Sequence, residues 1–268
     1  HIEDGIALTK FLYWFKTNNQ VTSEKIIEKK LEKFRRRSRN YLYPSFDTIA
    51  GSGPNGSIIH YRSTSKTNRN INKNDILLVD SGGQYKWGTT DVTRTTCSGN
   101  VSMNIKNNFT RVLKGHISVI NCDLKKNFNG HLIDKIARRP LKKVGLDYSH
   151  GTGHGVGFFL NVHEGPISIS KFNFVTLKKG MILSNEPGYY LNNKYGIRIE
   201  NLIYVDELNK NLKFKNLTFA PIDLDMVNFR MLNKKEKEYL FDYHLIVYSK
   251  LSKYLNKNEK KWLINLIK

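Results

Sequence analysis

The sequence predicts a mixed fold of the α/β (α+β) class, in which blocks of helix and blocks of strand follow one another along 268 residues. Two observations support this prediction. Apolar residues recur at helical spacing near both ends of the chain and in its middle, and runs of β-branched residues bounded by glycine lie between them. The hydrophobic content of 39% is ample for the core of one large domain.

Periodicity and charge place the individual elements. Residues 1–16 carry an apolar helical stripe, and a second helix is predicted to begin near Thr22. Glu24 lies in the first turn of that helix and the arginines at 35–37 lie at its end, as the helix dipole prefers. The remaining blocks are predicted as strands and hairpins over 39–100, helices over 104–122 and 131–144, strands ending near 217–221, and lysine-rich helix over 232–268.

Five potential metal ligands lie on segments predicted as strands or strand edges: Asp80, Asp91, His154, Glu186 and Glu200. Four carboxylates and one imidazole form a hard, oxygen-rich set of ligands. Such a set is too acidic for one divalent ion, but it matches two ions that share bridging carboxylates. The sequence therefore predicts a dinuclear hydrolase site.

The first two ligands are predicted to lie side by side. Asp80 ends an apolar run, residues 76–79, that has the length and branching of a buried strand, and Ser81 and two glycines then turn the chain. Asp91 opens a β-branched stretch, residues 91–96, that is predicted as the paired return strand.

The last two ligands are predicted at a cleft. Glu186 follows an apolar stretch and precedes a Pro-Gly pair, so it is expected where a strand stops. Glu200 is predicted inside one strand, residues 197–203, and alternation places Arg198 and Glu200 on the same face. Two charges that point inward from a central strand are costly unless they are paired or metal-bound, so this face is expected to form the site.

A glycine-rich stretch supplies the imidazoles. Residues 150–157 contain His150, His154 and four glycines, and His163 follows after a short apolar segment. Glycine lets the backbone approach a metal or a substrate closely. No Lys-Ser or Lys-Thr pair follows and two histidines interrupt the run, so a phosphate-binding loop is excluded.

Together these segments resemble the aminopeptidase P, or Xaa-Pro aminopeptidase, group of the pita-bread metallopeptidases, over roughly residues 1–265. The stretch at 161–166 is most similar to the eukaryotic cytosolic branch. All five ligand positions are matched. The matching segments are 53–55, 58–61, 78–82, 90–95, 111–116, 150–157, 161–166, 185–190 and 196–201.

The resemblance implies a pita-bread fold: two pseudo-symmetric αβ halves with a curved sheet around a dinuclear metal site. It implies one catalytic domain over 1–268, with a core over about 1–221 and a helical extension over about 222–268. In the eukaryotic branch further non-catalytic domains precede this segment, so we expect the sequence to lack them. A homodimer is also implied.

The resemblance also assigns roles. Asp91 and Glu200 would bridge two ions, usually Mn²⁺, with Co²⁺ and Zn²⁺ as the alternatives. Asp80 would complete the shell of one ion, and His154 and Glu186 that of the other. Glu186 would accept the proton of the attacking water, and His163 would stabilise the carbonyl oxygen of the scissile bond.

Four further positions match residues that bind substrate. His60 and His150 would line the pocket for the proline ring, and Tyr190 and Arg198 would orient the substrate and support the metal shell. From the residues alone, His60 beside two isoleucines is also compatible with a core histidine that satisfies its nitrogens locally. His116 and His244 lie in segments of helical pattern and are predicted as ordinary residues of a helix face.

Composition bounds the partners. Lys+Arg 44 against Asp+Glu 23 gives a net charge of +21, but the basic residues are dispersed along polar helix faces, so no specific nucleic-acid binding is predicted. The only two cysteines, Cys97 and Cys122, give no disulfide framework, and no apolar run reaches membrane-spanning length. A cytoplasmic location without membrane attachment is expected, and another intracellular compartment stays open.

Three functions are compatible with these residues. The predicted function is a metal-dependent aminopeptidase that releases the residue before proline from peptides. The alternative on the same fold is a prolidase, which cleaves only Xaa-Pro dipeptides. A non-catalytic pita-bread module that binds nucleic acid or acts as a chaperone belongs to a different class and is disfavoured because all five ligands are present. Methionine aminopeptidase shares the ligand scheme but fits the 150–157 and 161–166 segments poorly.

Overall fold

Helices and strands alternate in blocks, as the sequence predicts. The computed structural model describes residues 1–124, 128–208 and 211–267, so Lys268 of the predicted extension lies outside the described residues. The helices are α1 (Ile2–Thr17), α2 (Glu24–Arg35), α3 (Met103–Ile120), α4 (Gly130–Lys142), α5 (Lys234–Leu251) and α6 (Lys257–Ile264). The strands are β1 (Thr22–Ser23), β2 (Tyr41–Pro44), β3 (Ile49–Ser52), β4 (Asn70–Ile71), β5 (Leu77–Ser81), β6 (Gly83–Tyr85), β7 (Gly88–Thr89), β8 (Val92–Thr96), β9 (Gly153–His154), β10 (Ser168–Ile169), β11 (Ile182–Asn185), β12 (Gly188–Leu191), β13 (Tyr195–Arg198), β14 (Asn201–Leu208) and β15 (Asn211–Asn216).

Local capping sets several helix ends. The side chain of Ser102 caps α3, and both C-terminal helices begin with a capping box, formed by Asn233 with Glu236 and by Asn256 with Glu259. The predicted helix over 232–268 is therefore divided. A 3₁₀ turn at Ser252–Tyr254 ends the first helix, and the second Asn cap starts the next.

Of the three antiparallel three-stranded sheets among the described residues, β2-β6-β7 is one and two others carry the helix pairs. The orders are β3-β5-β8 and β11-β14-β15. Helices α1 and α2 pack on the first sheet, where Phe11 and Leu31 meet Leu77. Helices α3 and α4 pack on the second, where Ile133 meets Ile203. Each half of the molecule thus combines one helix pair with one sheet.

A third apolar cluster joins the C-terminal helices to the rest. It brings Phe109 of α3 and Ile197 of β13 together with Leu240 and Val247 of α5 and Leu263 of α6. All five side chains are at most 2% exposed. The C-terminal helices therefore share their core with residues from the middle of the chain.

The predicted strand over 197–203 is wrong in one respect, because it is interrupted at Ile199 and Glu200. The segment that pairs with it, β11 and β12, is interrupted at the same level. Arg198 pairs with Gly188 and Asn201 pairs with Asn185, so Glu186 and Pro187 lie opposite the break. Proline has no backbone N–H to give to a ladder. The N–H of Glu200 donates instead to the carbonyl of Thr93, at 3.1 Å.

The two histidines predicted on helix faces lie on α3 and α5, on faces that are fully buried. Nδ1–H of His116 donates to the carbonyl of Asn185 at 3.1 Å. His244 donates from Nδ1 to the carbonyl of Leu240 at 2.8 Å, and its Nε2 accepts the N–H of Ile222 at 3.1 Å. Both rings therefore fasten helices to neighbouring chain segments.

His244 makes stability depend on pH. Burial lowers its pKa from 6.5 to about 4. Between these values the unfolded chain binds a proton that the folded chain does not, so the free energy of unfolding falls as the pH falls through this window. Between pH 7 and pH 5 the titration of this ring alone should lower the free energy of unfolding by about 2 kcal/mol.

Between pH 7 and pH 5, the free energy of unfolding of the His244→Gln variant should fall by about 2 kcal/mol less than that of the unmodified chain. The reason is that glutamine binds no proton in this interval. Urea unfolding at pH 7, 6 and 5 measures this, and the comparison of slopes removes any constant cost of the substitution. Equal slopes for the two proteins would contradict the assignment.

Candidate metal centre

One cavity gathers nearly all of the residues singled out from the sequence. It has a volume of about 400 Å³. Of the ten predicted site residues, nine line it: His60, Asp80, Asp91, His150, His154, His163, Glu186, Arg198 and Glu200. Tyr190 lies behind this wall and bonds to two of its members.

The two aspartates come from one strand pair, as predicted. Strand β5, which contains Asp80, pairs antiparallel with β8, and Asp91 immediately precedes β8. The connection is longer than a simple turn, because β6 and β7 form a small ribbon inside it. Asp80 Oδ2 accepts from Arg198 Nη2 at 2.6 Å, whereas Asp80 Oδ1 is buried and finds no hydrogen-bond partner among the described residues.

The two glutamates lie at the double interruption of the strands. Glu186 and Glu200 occupy the break between β11 and β12 and the break between β13 and β14, so both side chains are free to turn into the cavity. Glu200 Oε2 accepts from the hydroxyl of Thr93 at 2.6 Å, and Glu186 Oε1 accepts from the hydroxyl of Ser184 at 3.3 Å.

His154 faces this group of carboxylates. Its Nδ1–H donates to the carbonyl of Gly155 at 3.0 Å, which leaves Nε2 3.4 Å from both Asp91 Oδ2 and Glu186 Oε1. A backbone acceptor at one ring nitrogen is the usual way in which a metal-binding histidine is oriented. Burial would lower the pKa of His154, but Asp91 and Glu186 outweigh burial and raise it to about 9.

The carboxylates are held in surroundings that disfavour their charge. Burial raises the pKa of Glu186 to about 7, and neighbouring Asp91 and Asp80 add to the effect. Burial and the same two aspartates, with Glu186, hold the pKa of Glu200 well above its usual range. The pKa of Asp91 is also raised, first by burial. This concentration of negative charge is well suited to bound cations.

The donor atoms fit two divalent ions. Three groups of side chains each bring their ligand atoms within 4.8 Å of one another: His154, Glu186 and Glu200; Asp80, Asp91 and Glu200; and Asp91, His154 and His163. The first two groups share Glu200, which is the arrangement that a bridging carboxylate requires. The unpartnered Oδ1 of Asp80 is a further oxygen available to a cation.

A chain of hydrogen bonds runs beside these ligands. Arg198 donates from Nε to the hydroxyl of Thr93 at 3.0 Å and from Nη1 to the hydroxyl of Tyr190 at 2.7 Å. The Tyr190 hydroxyl donates to His150 Nε2 at 2.9 Å, because His150 Nδ1–H is directed to the carbonyl of Gly151. Burial and nearby Arg198 lower the pKa of His150 to about 3, so this ring is neutral at neutral pH.

The other two histidines lie on the open side of the cavity. The ring of His163 contacts that of His154, with centroids 3.8 Å apart and planes tilted by 43°. Burial together with His154 lowers the pKa of His163 to about 4. His60 is exposed within the cavity wall. The alternative that His60 is a core histidine is therefore wrong.

Two supporting residues were missed from the sequence. Arg94 is 2% exposed and its Nη1 donates to the carbonyl of Glu200 at 2.6 Å.

The second residue, Glu24, is fully buried. Its carboxylate accepts from Ser52 N–H at 2.8 Å, Asn55 Nδ2 at 3.0 Å, the Tyr61 hydroxyl at 2.8 Å and Arg69 N–H at 2.9 Å. Glu24 thereby fastens both ends of the segment that carries His60. An arginine inside a β-branched strand is a signal for the first, but an acid in a first helical turn gives none for the second.

This fold and this set of donors define a metallopeptidase, and the chain belongs to metallopeptidase family M24. The model of that family matches residues 3–207, and the model of the C-terminal region of the family matches residues 210–268. The predicted pita-bread fold is thereby confirmed, together with the likeness to solved structures given next.

Among its relatives, a protein of Laccaria bicolor named probable Xaa-Pro aminopeptidase P is 43% identical over 98% of this chain and 44% of its own length. The X-prolyl aminopeptidase structure of Caenorhabditis elegans, described as a cytosolic enzyme with a di-nuclear active site, is 37% identical with a TM-score of 0.95, over 100% of this chain and 46% of that one. A prolidase structure of Thermococcus sibiricus is 32% identical with a TM-score of 0.72, over 84% of this chain and 59% of that one. The chain spans less than half the length of several curated relatives that it matches.

The four donors around Glu24 allow a test of how the His60 segment is held. Glu24→Gln replaces one acceptor oxygen by an NH₂ group that faces other donors, so we expect the free energy of unfolding to fall by about 2 kcal/mol. Urea unfolding measures this. Glu28→Gln is the matched control, since Glu28 lies one turn further along α2 and its carboxylate accepts from the hydroxyl of Ser63, at 2.6 Å. This substitution should lower the free energy of unfolding by about 0.5 kcal/mol or less. Equal costs would contradict the anchoring role.

Proposed function

We propose that the chain is the catalytic part of a metal-dependent aminopeptidase that hydrolyses the Xaa-Pro bond and releases the first residue of peptides with proline in second position. One observation carries the proposal: two groups of ligand atoms share Glu200 at one wall of a cavity whose other walls present His60, His150 and His163. The names of the relatives in Laccaria bicolor and Caenorhabditis elegans support the substrate class.

The residues proposed to hold two divalent ions are Asp80, Asp91, His154, Glu186 and Glu200, of which Asp91 and Glu200 would serve both ions. The physiological ion is proposed to be Mn²⁺, since oxygen-rich sites suit it, with Co²⁺ or Zn²⁺ as substitutes. When bound, such ions act as Lewis acids and lower the pKa of a water shared between them. Asp91 and Glu186 raise the pKa of His154 to about 9 against the effect of burial, and a bound ion would displace the proton from Nε2.

Glu186 is proposed as the proton acceptor. Its carboxylate lies at the strand break beside His154, with Oε1 3.4 Å from His154 Nε2. A carboxylate positioned beside the attacking water can take up its proton and return it. Glu186 would therefore receive the proton of the attacking water and pass it to the nitrogen that leaves.

His163 is proposed to stabilise the oxygen of the scissile carbonyl. Burial and neighbouring His154 lower its pKa to about 4, so the ring is neutral and retains one N–H to donate. A fixed donor that faces an oxygen on which negative charge develops lowers the barrier without reorganisation. The contact with the His154 ring, at 3.8 Å between centroids, restricts the orientation of the His163 ring.

The remaining predicted residues are proposed to bind the substrate. His60 and His150 would enclose the proline ring between them. Arg198 and Tyr190 would orient the peptide and hold Asp80 in place through the 2.6 Å contact between Arg198 Nη2 and Asp80 Oδ2. The free amino terminus would lie near Asp80, which limits release to one residue.

Further parts of the proposal concern the whole molecule. We propose one catalytic domain over 1–268, with the core at about 1–221 and the extension at about 222–268; the shared apolar cluster from Ile76 to Leu263 supports it. A homodimer is proposed from the family resemblance. A cytoplasmic location is proposed, supported by the cytosolic description of the Caenorhabditis elegans enzyme. None of the helices among the described residues has the length and apolarity needed to cross a bilayer.

Substrate series test the activity. With Mn²⁺ we expect release of the first residue from Xaa-Pro-Yaa peptides and none from Xaa-Ala-Yaa peptides, and a chelator should abolish release. Amino-acid analysis of the products measures both. Cleavage of both series would contradict the proline requirement, and activity that survives thorough removal of metal would contradict the metal dependence.

Peptide length separates the aminopeptidase from the prolidase alternative, which the Thermococcus sibiricus structure keeps open. Cleavage of Arg-Pro-Pro and longer peptides would exclude a dipeptide-only enzyme.

The Glu186→Gln variant tests the proposed base. We expect it to lower kcat by about 10²–10⁴-fold, because a positioned base contributes this much. A binding module of the same fold would keep its function after that substitution.

A further inference from the structure

A second cavity adjoins the candidate metal centre. It has a volume of about 390 Å³, close to that of the first, and His150, Gly151 and Ser170 line both. Helix α4 and the segment at 170–172 form its other walls. We call it the α4 cavity. The common wall places it next to the ring that is proposed to enclose the substrate proline.

The common wall is firmly fixed. Arg138 of α4 donates from Nη1 to the carbonyl of Tyr148 and from Nη2 to the carbonyl of His150, both at 2.6 Å. Its guanidinium also lies over the Tyr148 ring, 3.9 Å from the centroid. The backbone at 148–150 is therefore held in one position between the two cavities, so the α4 cavity is a preformed feature of the fold.

The lining is positively charged. Four cationic side chains face two carboxylates: Lys135, Arg138, Lys142 and Lys171 against Asp134 and Asp147. Both carboxylates are already paired, since Arg138 contacts each at 2.8 Å and Lys142 Nζ lies 3.7 Å from Asp147.

Two lysines remain without an opposite charge. Lys135 and Lys171 are exposed, and neither forms an ion pair within the part of the chain that the structure describes. Lys171 Nζ lies 5.3 Å from the centroid of the Phe172 ring, which is 81% exposed. The α4 cavity thus offers two unpaired amines and one apolar surface, a combination that suits a peptide with a carboxylate.

We propose that the α4 cavity binds the part of the substrate beyond the proline and favours a carboxylate there. The inference rests on the proposed function, since a peptide that places its proline beside His150 continues toward the wall that both cavities share. A carboxylate arrives either as an acidic side chain or as the C-terminus of a short peptide. A peptide that ends at the proline does not extend into this cavity.

Charge-series peptides test the preference. The substrates are Arg-Pro-Ala-Yaa amides with Glu, Gln or Lys at Yaa, and Arg-Pro-Ala-Ala as the acid and as the amide, each assayed with Mn²⁺. We expect kcat/KM to fall in the order Glu, Gln, Lys, by roughly 3–10-fold from first to last at low salt, mainly through KM. Added salt should compress the series, because exposed charges are screened. The acid and amide pair shows whether the C-terminus substitutes for the acidic side chain.

Variants locate the preference. Lys135→Gln combined with Lys171→Gln should remove the difference between the Glu and Gln peptides, and Lys171→Glu should favour the Lys peptide. Lys178→Gln is the matched control, an exposed lysine outside the α4 cavity, and should keep the original order.

The outcomes separate the two proposals. Cleavage of all the proline peptides with equal kcat/KM, or an acidic preference that survives in the double variant, would overturn this inference and leave the proposed function standing. A chain that cleaves none of the proline peptides with Mn²⁺ would overturn the proposed function and this inference with it.

Discussion

The guanidinium of Arg94 is the interaction on which the arrangement of the candidate site depends. It is 2% exposed and contacts acceptors from four separate parts of the chain: the carbonyls of Thr93, Glu200, Ala220 and Pro221, the side-chain oxygen of Asn201 and the hydroxyl of Tyr243. A guanidinium cannot lose its proton, so burial requires that its donors be satisfied. That requirement fixes the backbone of Glu200 against β8.

The geometry of the candidate site also depends on an interruption of the regular strand pairing. A ladder of paired strands continued through Glu186 and Glu200 would direct alternate side chains to opposite faces. Because Pro187 has no N–H and Glu200 N–H turns to Thr93, both strands are interrupted at one level, and the two carboxylates face the same space. Arg198 and Thr93 then supply donors that hold the acids in position before any cation arrives.

The sequence predicted the candidate site best where residues close together in the chain determine the structure. Ligand-type residues at the ends of apolar or β-branched runs predicted which side chains meet, and nine of the ten lie around one cavity. The strand break at 199–200 was not predictable, because its cause lies on another strand. Glu24 looks like any acid that favours a helix start, and only the fold brings Ser52 and Arg69 to it. Two neighbouring isoleucines made His60 resemble a core residue, although the segment that follows β3 carries it to the cavity.

The contacts of Arg94 also bear on where this chain can be divided. Family models place a boundary between residues 207 and 210, yet three of the six acceptors, at Ala220, Pro221 and Tyr243, lie beyond it. A fragment that ends at the boundary would enclose a cation with half of its partners removed, and would also uncover the apolar surface that α5 and α6 protect. The two matched stretches therefore share buried contacts, and residues beyond 210 help to hold the guanidinium that fixes the backbone of Glu200.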